Sequence, residues 1–415
     1  MRRLCVMGLG YIGLPTAAML AARGHAVLGC DTDPRVVKAV ASGQAHFREP
    51  DLDSLLAAAL ATGRLVAQGA PRPAEVFLIA VPTPLGPGNR ADLSAVWAAT
   101  DAIAPLLKPG DLVILESTCP VGTTEALAAR IAAARPDLAL PMRGVPAPPG
   151  CVHLAHCPER VLPGAMLREL VANDRIIGGL TPGCAESARA LYAGFVTGQC
   201  HVTDSRTAEL AKLAENAFRD VNIAFANELA DIAIGVQVDP WAAIALANRH
   251  PRVAILAPGP GVGGHCIAVD PWFLAESAPE GAPLIRAARA VNDARPGHVA
   301  AAIRALARPG AAVACLGLTY KPDVGDLRAS PALAVAEELS RDGTLRLICC
   351  DPLLAALPPP LAGRPGVVLA GLESALAQAD VVAILVAHRA FRALGAPALQ
   401  GRTVLDAVGM LVAAV

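Results

Sequence analysis

The chain has 415 residues, with 35 Lys and Arg against 36 Asp and Glu, so its formal net charge is −1. At roughly 150 residues per domain, this length predicts two or three domains with buried cores. Hydrophobic residues make up 54% of the chain and charged residues 17%, which excludes a disordered chain. Because there is no basic excess or basic tract, we expect no nucleic-acid partner.

The N-terminus superficially resembles a signal peptide, because Arg2 and Arg3 precede an apolar run. Glycines and Pro15 interrupt that run, and the alanine-rich segments elsewhere are amphipathic rather than apolar spans of about 20 residues. We therefore expect no signal peptide and no membrane segment. The eleven cysteines are scattered without zinc spacing, so we expect no metal site, mostly reduced thiols and a cytoplasmic location.

The first 120 residues alternate between apolar strands and helical patterns. The pattern predicts strands at 3–7, 26–30, 76–81 and 112–116, with an alanine-rich helix at 16–23. Such alternation is typical of a doubly wound parallel sheet.

One long helix is predicted at 207–236, because apolar residues recur there at helical spacing. Its length suits a connection between two domains, and its apolar stripe is typical of a dimer contact. We therefore expect a homodimer.

The strand and helix alternation returns after Pro296, with strands predicted at 312–316, 345–350, 381–386 and 403–405. The two ends of the chain are similar to each other, since Gly8 and Asp31 have counterparts in Gly317 and Asp351. The predicted fold class is α/β, with two Rossmann-like, doubly wound parallel-sheet domains joined by a helical middle domain. The predicted domains are residues 1–200, the helical middle at 201–298 with the dimer contact, and residues 299–415.

A dinucleotide fingerprint follows the first strand, where Gly8, Gly10 and Gly13 open a helix. The glycines allow a tight turn and close approach of a pyrophosphate to the helix N-terminus. Asp31 ends the second strand and is placed to accept hydrogen bonds from a ribose, which favours NAD over NADP. Thr83, within Pro-Thr-Pro, ends a later strand at the same edge of the sheet.

A glycine-rich loop, Gly-Pro-Gly-Val-Gly-Gly-His-Cys, ends at Cys266. It is not a P-loop, because no Lys-Ser/Thr follows. The glycines are expected to let backbone and substrate approach the sulfur closely. If a helix begins near Cys266, its N-terminus would lower the pKa of the thiol, and Asp270 would lie one turn further on. His265 has either a structural or a catalytic role.

Lys212, Asn216 and Arg219 are spaced i, i+4, i+7 on the long helix and so share one face. A solvated polar face explains such a trio as well as a functional one does. In the functional interpretation, the lysine and the amide hold a reacting oxygen and a water molecule.

Together these features resemble the UDP-glucose/GDP-mannose dehydrogenase family, whose members oxidise a nucleotide sugar twice at C6 with NAD. The resemblance covers nearly the whole chain, and it implies that residues 1–200 bind NAD, residues 201–298 carry the catalytic thiol and residues 299–415 bind the UDP-sugar. Its motifs are Gly-Leu-Gly-Tyr-Ile-Gly (8–13), Val-Pro-Thr-Pro (81–84), Glu-Ser-Thr-Cys-Pro-Val-Gly (116–122), Gly-Gly-His-Cys-Ile-Ala-Val-Asp (263–270) and Tyr-Lys-Pro-Asp-Val-Gly-Asp-Leu-Arg-Ala-Ser-Pro (320–331).

Within the family, four stretches are most similar to the members that oxidise UDP-N-acetyl-D-mannosamine. They are residues 157–164, 218–229, 248–253 and 258–273. Members acting on UDP-N-acetylglucosamine or UDP-N-acetylgalactosamine share part of this pattern, and both sugars stay open as alternatives. A UDP-N-acetylhexosamine is therefore the expected substrate, and an acidic surface polysaccharide the expected destination of the product.

The resemblance implies catalytic roles position by position. Cys266 matches the nucleophile, Lys212 an acid/base or oxyanion-stabilising lysine, and Asn216 a substrate-binding asparagine. Asp270 matches the carboxylate near the thiol. The water-activating group is matched by Thr118 and Glu159.

The resemblance also implies ligand contacts. Matching NAD-contacting positions are Tyr11, Ile12, Asp31, Thr83, Thr118 and Arg328. Matching sugar-nucleotide contacts are Arg160, Val161, Lys212, Asn216, Arg219, His250, Arg252, Gly263, Tyr320 and Lys321, of which His250 and Arg252 would reach across a dimer.

Three positions depart from the family pattern. Pro163 replaces a second glutamate, and Val269 replaces a lysine before the aspartate of the thiol motif; both changes weaken a UDP-glucose assignment. Val408 stands where relatives often have a basic residue. A different class of function is an NAD-responsive nucleotide-sugar-binding protein without catalysis, which would have no use for the thiol, the lysine and the asparagine.

Overall fold

The structure is a computed structural model that describes residues 1–162, 164–341 and 343–411. The chain forms two compact units, Met1–Ala214 and Glu215–Val415. The division into three domains predicted from the sequence stays a prediction.

The first unit is built on an eight-stranded sheet in the order β3-β2-β1-β4-β5-β6-β7-β8. The strands are β1 (Arg3–Met7), β2 (Ala26–Cys30), β3 (Leu65–Gln68), β4 (Val76–Ile79), β5 (Leu112–Leu115), β6 (His153–His156), β7 (Arg175–Gly179) and β8 (Cys200–Asp204). Neighbouring strands run parallel except β6 and β7, which are antiparallel. The chain reverses its direction of winding between β1 and β4, where open α/β sheets bind ligands.

Helices cover both faces of this sheet. They are α1 (Gly13–Ala22), α2 (Pro34–Ala41), α3 (Leu52–Ala61), α4 (Ser94–Ile103), α5 (Thr123–Ala134), α6 (Met166–Ala172) and α7 (Pro182–Tyr192), with short 3-10 turns at Pro87–Asn89 and Ala104–Leu106. Alternate residues of β1 enter two different cores, since Leu4 and Val6 lie in one and Cys5 and Met7 in the other. A strand buried on both faces reads as an apolar run, which is why β1 was predictable.

Four helices follow, namely α8 (Ser205–Gly235), α9 (Pro240–Ala247), α10 (Asp270–Ser277) and α11 (Pro283–Leu306). The long helix predicted at 207–236 is thus confirmed as α8. Asp220 of α8 is buried and accepts hydrogen bonds from Arg289 Nη1 at 2.7 Å and Asn292 Nδ2 at 2.8 Å, which fixes α8 to α11. Within the described residues, no helix combines the length and apolar character needed to cross a membrane.

The second unit contains a five-stranded parallel sheet in the order β11-β10-β9-β12-β13. The strands are β9 (Ala312–Leu316), β10 (Arg346–Cys350), β11 (Val367–Leu369), β12 (Val381–Ile384) and β13 (Thr403–Asp406); the helices are α12 (Pro331–Leu339), α13 (Leu372–Gln378) and α14 (Ala396–Leu399), with a 3-10 turn at Arg389–Phe391. The predicted α/β fold class is confirmed, with a sheet that is parallel except at β6 and β7 near the N-terminus, a parallel sheet near the C-terminus, and helices between them in the chain.

Candidate active site

The loops at the carboxyl ends of β1, β2, β4, β5 and β6 carry most candidate residues of the first unit. These five strands run parallel, so their carboxyl ends meet at one edge of the sheet. The residues gathered there are Gly8, Gly10, Tyr11, Ile12, Gly13, Asp31, Thr83, Thr118, Glu159, Arg160 and Val161.

The glycine loop has the geometry that a bound pyrophosphate requires. Gly8 has φ +92°, and a Cβ on Gly13 would lie 1.9 Å from the carbonyl oxygen of Gly8. A Cβ on Gly10 would meet nothing within 4 Å of its position among the described residues, so that side of the loop is open to a ligand. Ile12 is the N-cap of α1 and gives it no side-chain cap. The residues present therefore fit an anion held at a helix N-terminus.

Asp31 is fixed by the glycine loop itself. Its Oδ2 accepts the backbone N–H of Leu9 at 2.9 Å, and its Oδ1 accepts that of Asp33 at 2.9 Å. The carboxylate is only half-buried and each oxygen can accept a further hydrogen bond, which fits a ribose hydroxyl. Nearby, the ring of Tyr11 stacks on Phe47 with centroids 4.2 Å apart.

Thr83 and Thr118 join the loops that follow β4 and β5. Thr83 Oγ1 donates to the carbonyl oxygen of Thr118 at 2.7 Å, and Ser117 Oγ donates to that of Val81 at 2.7 Å. The two loops are therefore held together by side chain to backbone bonds, and the two predicted threonines are neighbours.

Glu159 is held in a buried network that the sequence did not predict. Its Oε2 accepts Arg175 Nη2 at 2.7 Å, and its Oε1 accepts the backbone N–H of Arg160 at 2.7 Å. Burial alone would lower the pKa of Arg175, but Glu159, Tyr192 and Glu116 raise it. Pro163, where the resemblance implies a second glutamate in UDP-glucose enzymes, lies outside the described residues.

Glu116 begins the Glu-Ser-Thr motif and is fully buried. Tyr192 donates its hydroxyl to Glu116 Oε1 at 2.5 Å, while Oε2 has no hydrogen-bond partner in the described part of the chain. Burial raises the pKa of Glu116 to about 7, and the positive charge of Arg175 opposes this only in part. The motif identified this position, but only the structure identifies Tyr192 as its partner.

Lys212 is buried on α8, beside a second group that sequence reasoning missed. Glu209, one turn earlier, accepts the backbone N–H of Gly122 at 2.6 Å and both the N–H and hydroxyl of Thr124, at 2.8 and 2.6 Å. Its carboxylate thus ties the start of α8 to the N-terminus of α5. Local sequence spacing could not predict this contact, because 85 residues separate Glu209 and Thr124.

Glu209, His156 and Cys119 form a buried cluster whose ligating atoms lie within 4.8 Å of one another. The pKa of His156 is lowered to about 3, mainly by burial and in part by the charge of Lys212, so the imidazole is neutral. The N–H and O–H groups of Gly122 and Thr124 already occupy the carboxylate of Glu209, and the positive charge of the neighbouring Lys212 repels a cation. Both features oppose a metal ion at this cluster.

The thiol loop packs on the segment that carries the Tyr-Lys-Pro-Asp motif. A Cβ on Gly264, where φ is +84°, would lie 2.8 Å from Cε2 of Tyr320, and one on Gly263 would lie 2.5 Å from the carbonyl oxygen of Ala329. The Gly264 N–H donates to the carbonyl oxygen of Arg328 at 3.1 Å. These two glycines therefore allow close packing within the protein, whereas the sequence pattern suggested close approach of the substrate. Arg328 itself pairs with Asp326 at 2.6 Å.

Cys266 is one of two partly exposed cysteines, and the other nine are buried. Its carbonyl oxygen accepts the N–H groups of Val269 and Asp270 at 3.0 and 2.8 Å. Helix α10 begins at Asp270, so the thiol lies four residues before the helix and not at its first turn. Asp270 is buried, and its Oδ2 accepts Asn216 Nδ2 at 2.5 Å. His265 is exposed.

The other sugar-nucleotide candidates differ in burial. Arg219, His250 and Arg252 are exposed, while Tyr320 and Lys321 are half-buried. Val408 packs against the apolar cluster of the second sheet, which explains how an aliphatic residue is accommodated there.

Comparison with known proteins matches most of the chain to the domains of one family. Three models match: the NAD binding domain (residues 2–196), the central domain (206–294) and the UDP binding domain (314–413) of the UDP-glucose/GDP-mannose dehydrogenase family.

Individual relatives match over almost their whole length. An NDP-N-acetyl-D-galactosaminuronic acid dehydrogenase of Ralstonia nicotianae is 52% identical, covering 99% of this chain and 96% of the relative. The UDP-N-acetyl-D-mannosamine dehydrogenase of Escherichia coli K12 is 47% identical, covering 98% of each chain. The solved structure of a UDP-D-ManNAc dehydrogenase from Pyrococcus horikoshii is 38% identical, with a TM-score of 0.85, and covers 99% of this chain and 96% of that one.

Proposed function

The chain belongs to the UDP-glucose/GDP-mannose dehydrogenase family of NAD-dependent nucleotide-sugar dehydrogenases, and from that premise we propose that it oxidises a UDP-N-acetylhexosamine at C6 to the uronate. The proposed substrate is UDP-N-acetyl-D-mannosamine. The proposal keeps the division into residues 1–200, 201–298 and 299–415, which the three family matches support.

The sugar is chosen from the four stretches of sequence likeness and from relatives named UDP-N-acetyl-D-mannosamine dehydrogenase at 47–48% identity. A second candidate is UDP-N-acetylgalactosamine, because a relative named for N-acetyl-D-galactosaminuronic acid is 52% identical. The two names differ in the sugar and agree on the class of reaction.

Oxidation of a primary alcohol to an acid removes four electrons, so the half-oxidised aldehyde must be retained between two steps. When bound, NAD would supply a hydride acceptor for two electrons, so the four-electron oxidation would use two NAD molecules in turn. The Cys266 thiolate adds to the aldehyde carbon and forms a thiohemiacetal. Loss of a second hydride from that carbon leaves a thioester, which water then cleaves.

The other candidates have roles around these steps. Lys212 supplies positive charge for the oxyanion that forms at each tetrahedral stage. Asp270, held by Asn216, accepts or relays a proton, and Thr118 with Glu159 orients the hydrolytic water. Asp31 and the glycine loop bind the cofactor.

The observation that carries this proposal is the Asn216–Asp270 hydrogen bond. It fixes the orientation of a carboxylate that lies four residues after the partly exposed thiol of Cys266. The experiment is to incubate the enzyme with NAD and each of three UDP-N-acetylhexosamines, the manno, gluco and galacto epimers, and to count NADH per sugar. We expect two NADH per sugar and the highest kcat/KM with the manno epimer.

Other results would redirect the proposal. A single NADH per sugar would contradict retention on a thiol, and faster turnover of the galacto epimer would establish the second candidate. If calorimetry shows that NAD and UDP-sugars bind but no NADH forms with any epimer, the chain is a binding protein.

We further propose a homodimer formed through α8. Phe218, Phe225 and Ile232 follow one another at intervals of seven residues on this helix and are 67%, 55% and 55% exposed. Three large apolar side chains on one face favour a partner helix, and a second copy of this chain supplies the same face. Light scattering should give a dimer, and Phe225→Glu should give a monomer; a monomeric wild type would contradict the proposal.

Retention of eleven free cysteines supports a cytoplasmic location.

A further inference from the structure

We propose that Arg175 is a positioning residue that fixes Glu159 for hydrolysis of the thioester, the last step of the reaction. This inference rests on the proposed function and adds a residue that matches no motif in the sequence. It also separates two steps of the reaction, because Arg175 is expected to affect the hydrolysis that uses water and not the hydride transfers.

The Arg175–Glu159 ion pair fixes the direction of the carboxylate. Its N–O distance is 2.7 Å, and the side chains of Arg175 and Glu159 are only 4% and 8% exposed. The second oxygen of Glu159 accepts the N–H of Arg160 at 2.7 Å. With one hydrogen bond on each oxygen, the carboxylate cannot rotate, yet each oxygen keeps a further acceptor position for water.

Two aromatic rings lie close to the guanidinium of Arg175. Arg175 Cζ lies 4.7 Å from the centre of the Tyr192 ring and 5.9 Å from that of Phe195. Tyr192 is in turn fixed by its 2.5 Å hydrogen bond to Glu116. A flat cation stacked on a ring and bonded at one edge has little freedom, which is the property that a positioning residue needs.

Stability alone does not explain this arrangement. Arg175 Nη1 is buried and has no hydrogen-bond partner among the described residues, and an unsatisfied buried donor destabilises a fold. Buried ion pairs are often no more stabilising than apolar side chains of the same volume. The geometry therefore points to a role for the charge at Glu159.

Hydrolysis is the step in which an oriented carboxylate matters. The water oxygen adds to the acyl carbon, and the C–S bond breaks with its electron pair leaving on Cys266 sulfur. One water proton restores the thiol, and the other passes through Glu159 to solvent as the product ionises to the uronate. The earlier hydride transfers involve no water.

The test separates these steps by rapid mixing of enzyme, NAD and UDP-N-acetyl-D-mannosamine. For Arg175→Gln we expect a burst of two NADH per active site at a rate within about threefold of wild type. Steady-state turnover should then fall about 100-fold, the scale of a misplaced catalytic group. Mass spectrometry of the quenched protein should show the uronyl nucleotide attached at Cys266.

Arg130→Gln is the matched control, because Arg130 also pairs with a carboxylate, Asp101, at 2.6 Å and faces an aromatic ring, Trp97, but on the surface. This variant should leave both the burst and the steady-state turnover unchanged. Arg175→Lys keeps the positive charge and should recover at least tenfold of the lost turnover. If thermal melting shows that Arg175→Gln is unfolded, Arg175→Lys carries the test, with a slowed steady state after a normal burst as the supporting result.

A double variant shows whether Arg175 acts through Glu159. In a Glu159→Gln background, the Arg175→Gln change should slow hydrolysis less than threefold further. Equal loss of the burst and the steady state in folded Arg175 variants, or full turnover by them, would overturn the inference. Failure of the wild type to form two NADH per sugar would instead overturn the proposed function.

Discussion

Asn216 donates a 2.5 Å hydrogen bond from its side-chain amide to Oδ2 of Asp270, across 54 residues of sequence. Both residues are buried, at 7% and 2% exposure. The bond fixes the first residue of α10 to the middle of α8. An amide can donate to a carboxylate without neutralising it, so Asp270 keeps its capacity to accept a proton.

Asn216→Ala should lower kcat/KM for the UDP-sugar about 10- to 100-fold, because Asp270 loses a hydrogen bond to a charged group that is worth about 1.5–3 kcal/mol. Steady-state kinetics measure this effect. The control is Asn222→Ala on the same helix, which removes bonds to the backbone of Ala254 and Leu256. Equal losses of activity in the two variants would argue against a specific role for Asn216.

Cys266→Ser should retain NAD and nucleotide-sugar binding but lose uronate formation by about 10³-fold or more, because a serine hydroxyl is a far weaker nucleophile than a thiolate. Product analysis and calorimetry measure the two properties. Cys200→Ser changes the other partly exposed cysteine and should leave turnover intact. Normal turnover by Cys266→Ser would refute covalent catalysis.

Glu116→Gln should remove a pH dependence of stability. The pKa of Glu116 is raised by burial from its ordinary value of 4.5 to about 7. The folded protein therefore keeps this proton up to about pH 7, whereas the unfolded chain loses it near pH 4.5. The free energy of unfolding should fall by about 3 kcal/mol as the pH rises through this window.

Urea unfolding of wild type and Glu116→Gln at pH 5, 6, 7 and 8 tests this sign. Glutamine mimics the protonated acid and can still accept a hydrogen bond from Tyr192. The free energy of unfolding of the variant should therefore rise relative to that of wild type as the pH rises. Glu186→Gln is a surface control, because Glu186 pairs with Arg189 at 57% exposure and such pairs contribute little. A constant difference between wild type and Glu116→Gln would contradict the raised pKa.

The doubly wound framework was predictable because buried parallel strands are apolar runs. Strands β1, β2 and β9 have the bounds expected from sequence. Strands β3, β6, β7, β8 and β11 were not predicted. In β6, His153 and His156 interrupt the apolar pattern, and the residues of β8 are exposed or half-buried, so neither strand has the apolar run that indicates a buried strand.

The two ends of the chain are alike in one backbone hydrogen bond to an aspartate, but they differ in a contact that the sequence did not predict. Leu318 N–H donates to Asp351 at 2.8 Å, as Leu9 N–H does to Asp31 at 2.9 Å. Asp351 is also bonded to His388 Nε2 at 3.2 Å. Sequence similarity identified Asp351 as the counterpart of Asp31, but it could not predict the long-range contact with His388 that makes Asp351 a buried structural acid.

Candidate site residues were predictable where a motif is local, as in the glycine loop and the thiol loop. Arg175, Tyr192 and Glu209 were not, because each acts on a partner that is distant in sequence and none lies in a motif. Spacing arguments detect neighbours on one helix or strand, and they cannot detect a contact formed by tertiary packing.

Gly264→Ala should impair the enzyme through packing of the thiol loop on Tyr320. The new Cβ would lie 2.8 Å from the Tyr320 ring, and φ of +84° is unfavourable for alanine. Either the ring or the loop must move, which should cost about 1–3 kcal/mol of stability. Because Cys266 lies two residues further on, turnover should fall at least tenfold.

Gly259→Ala is the matched control in the same loop. A Cβ there would meet nothing within 4 Å among the described residues, and the N–H of residue 259 can still donate to Asn227. This variant should stay within about 0.5 kcal/mol of wild type in urea unfolding and keep its turnover. If Gly264→Ala behaves like Gly259→Ala in both measurements, close packing on Tyr320 does not set the position of the thiol loop, and the glycines would have to be explained by substrate approach instead.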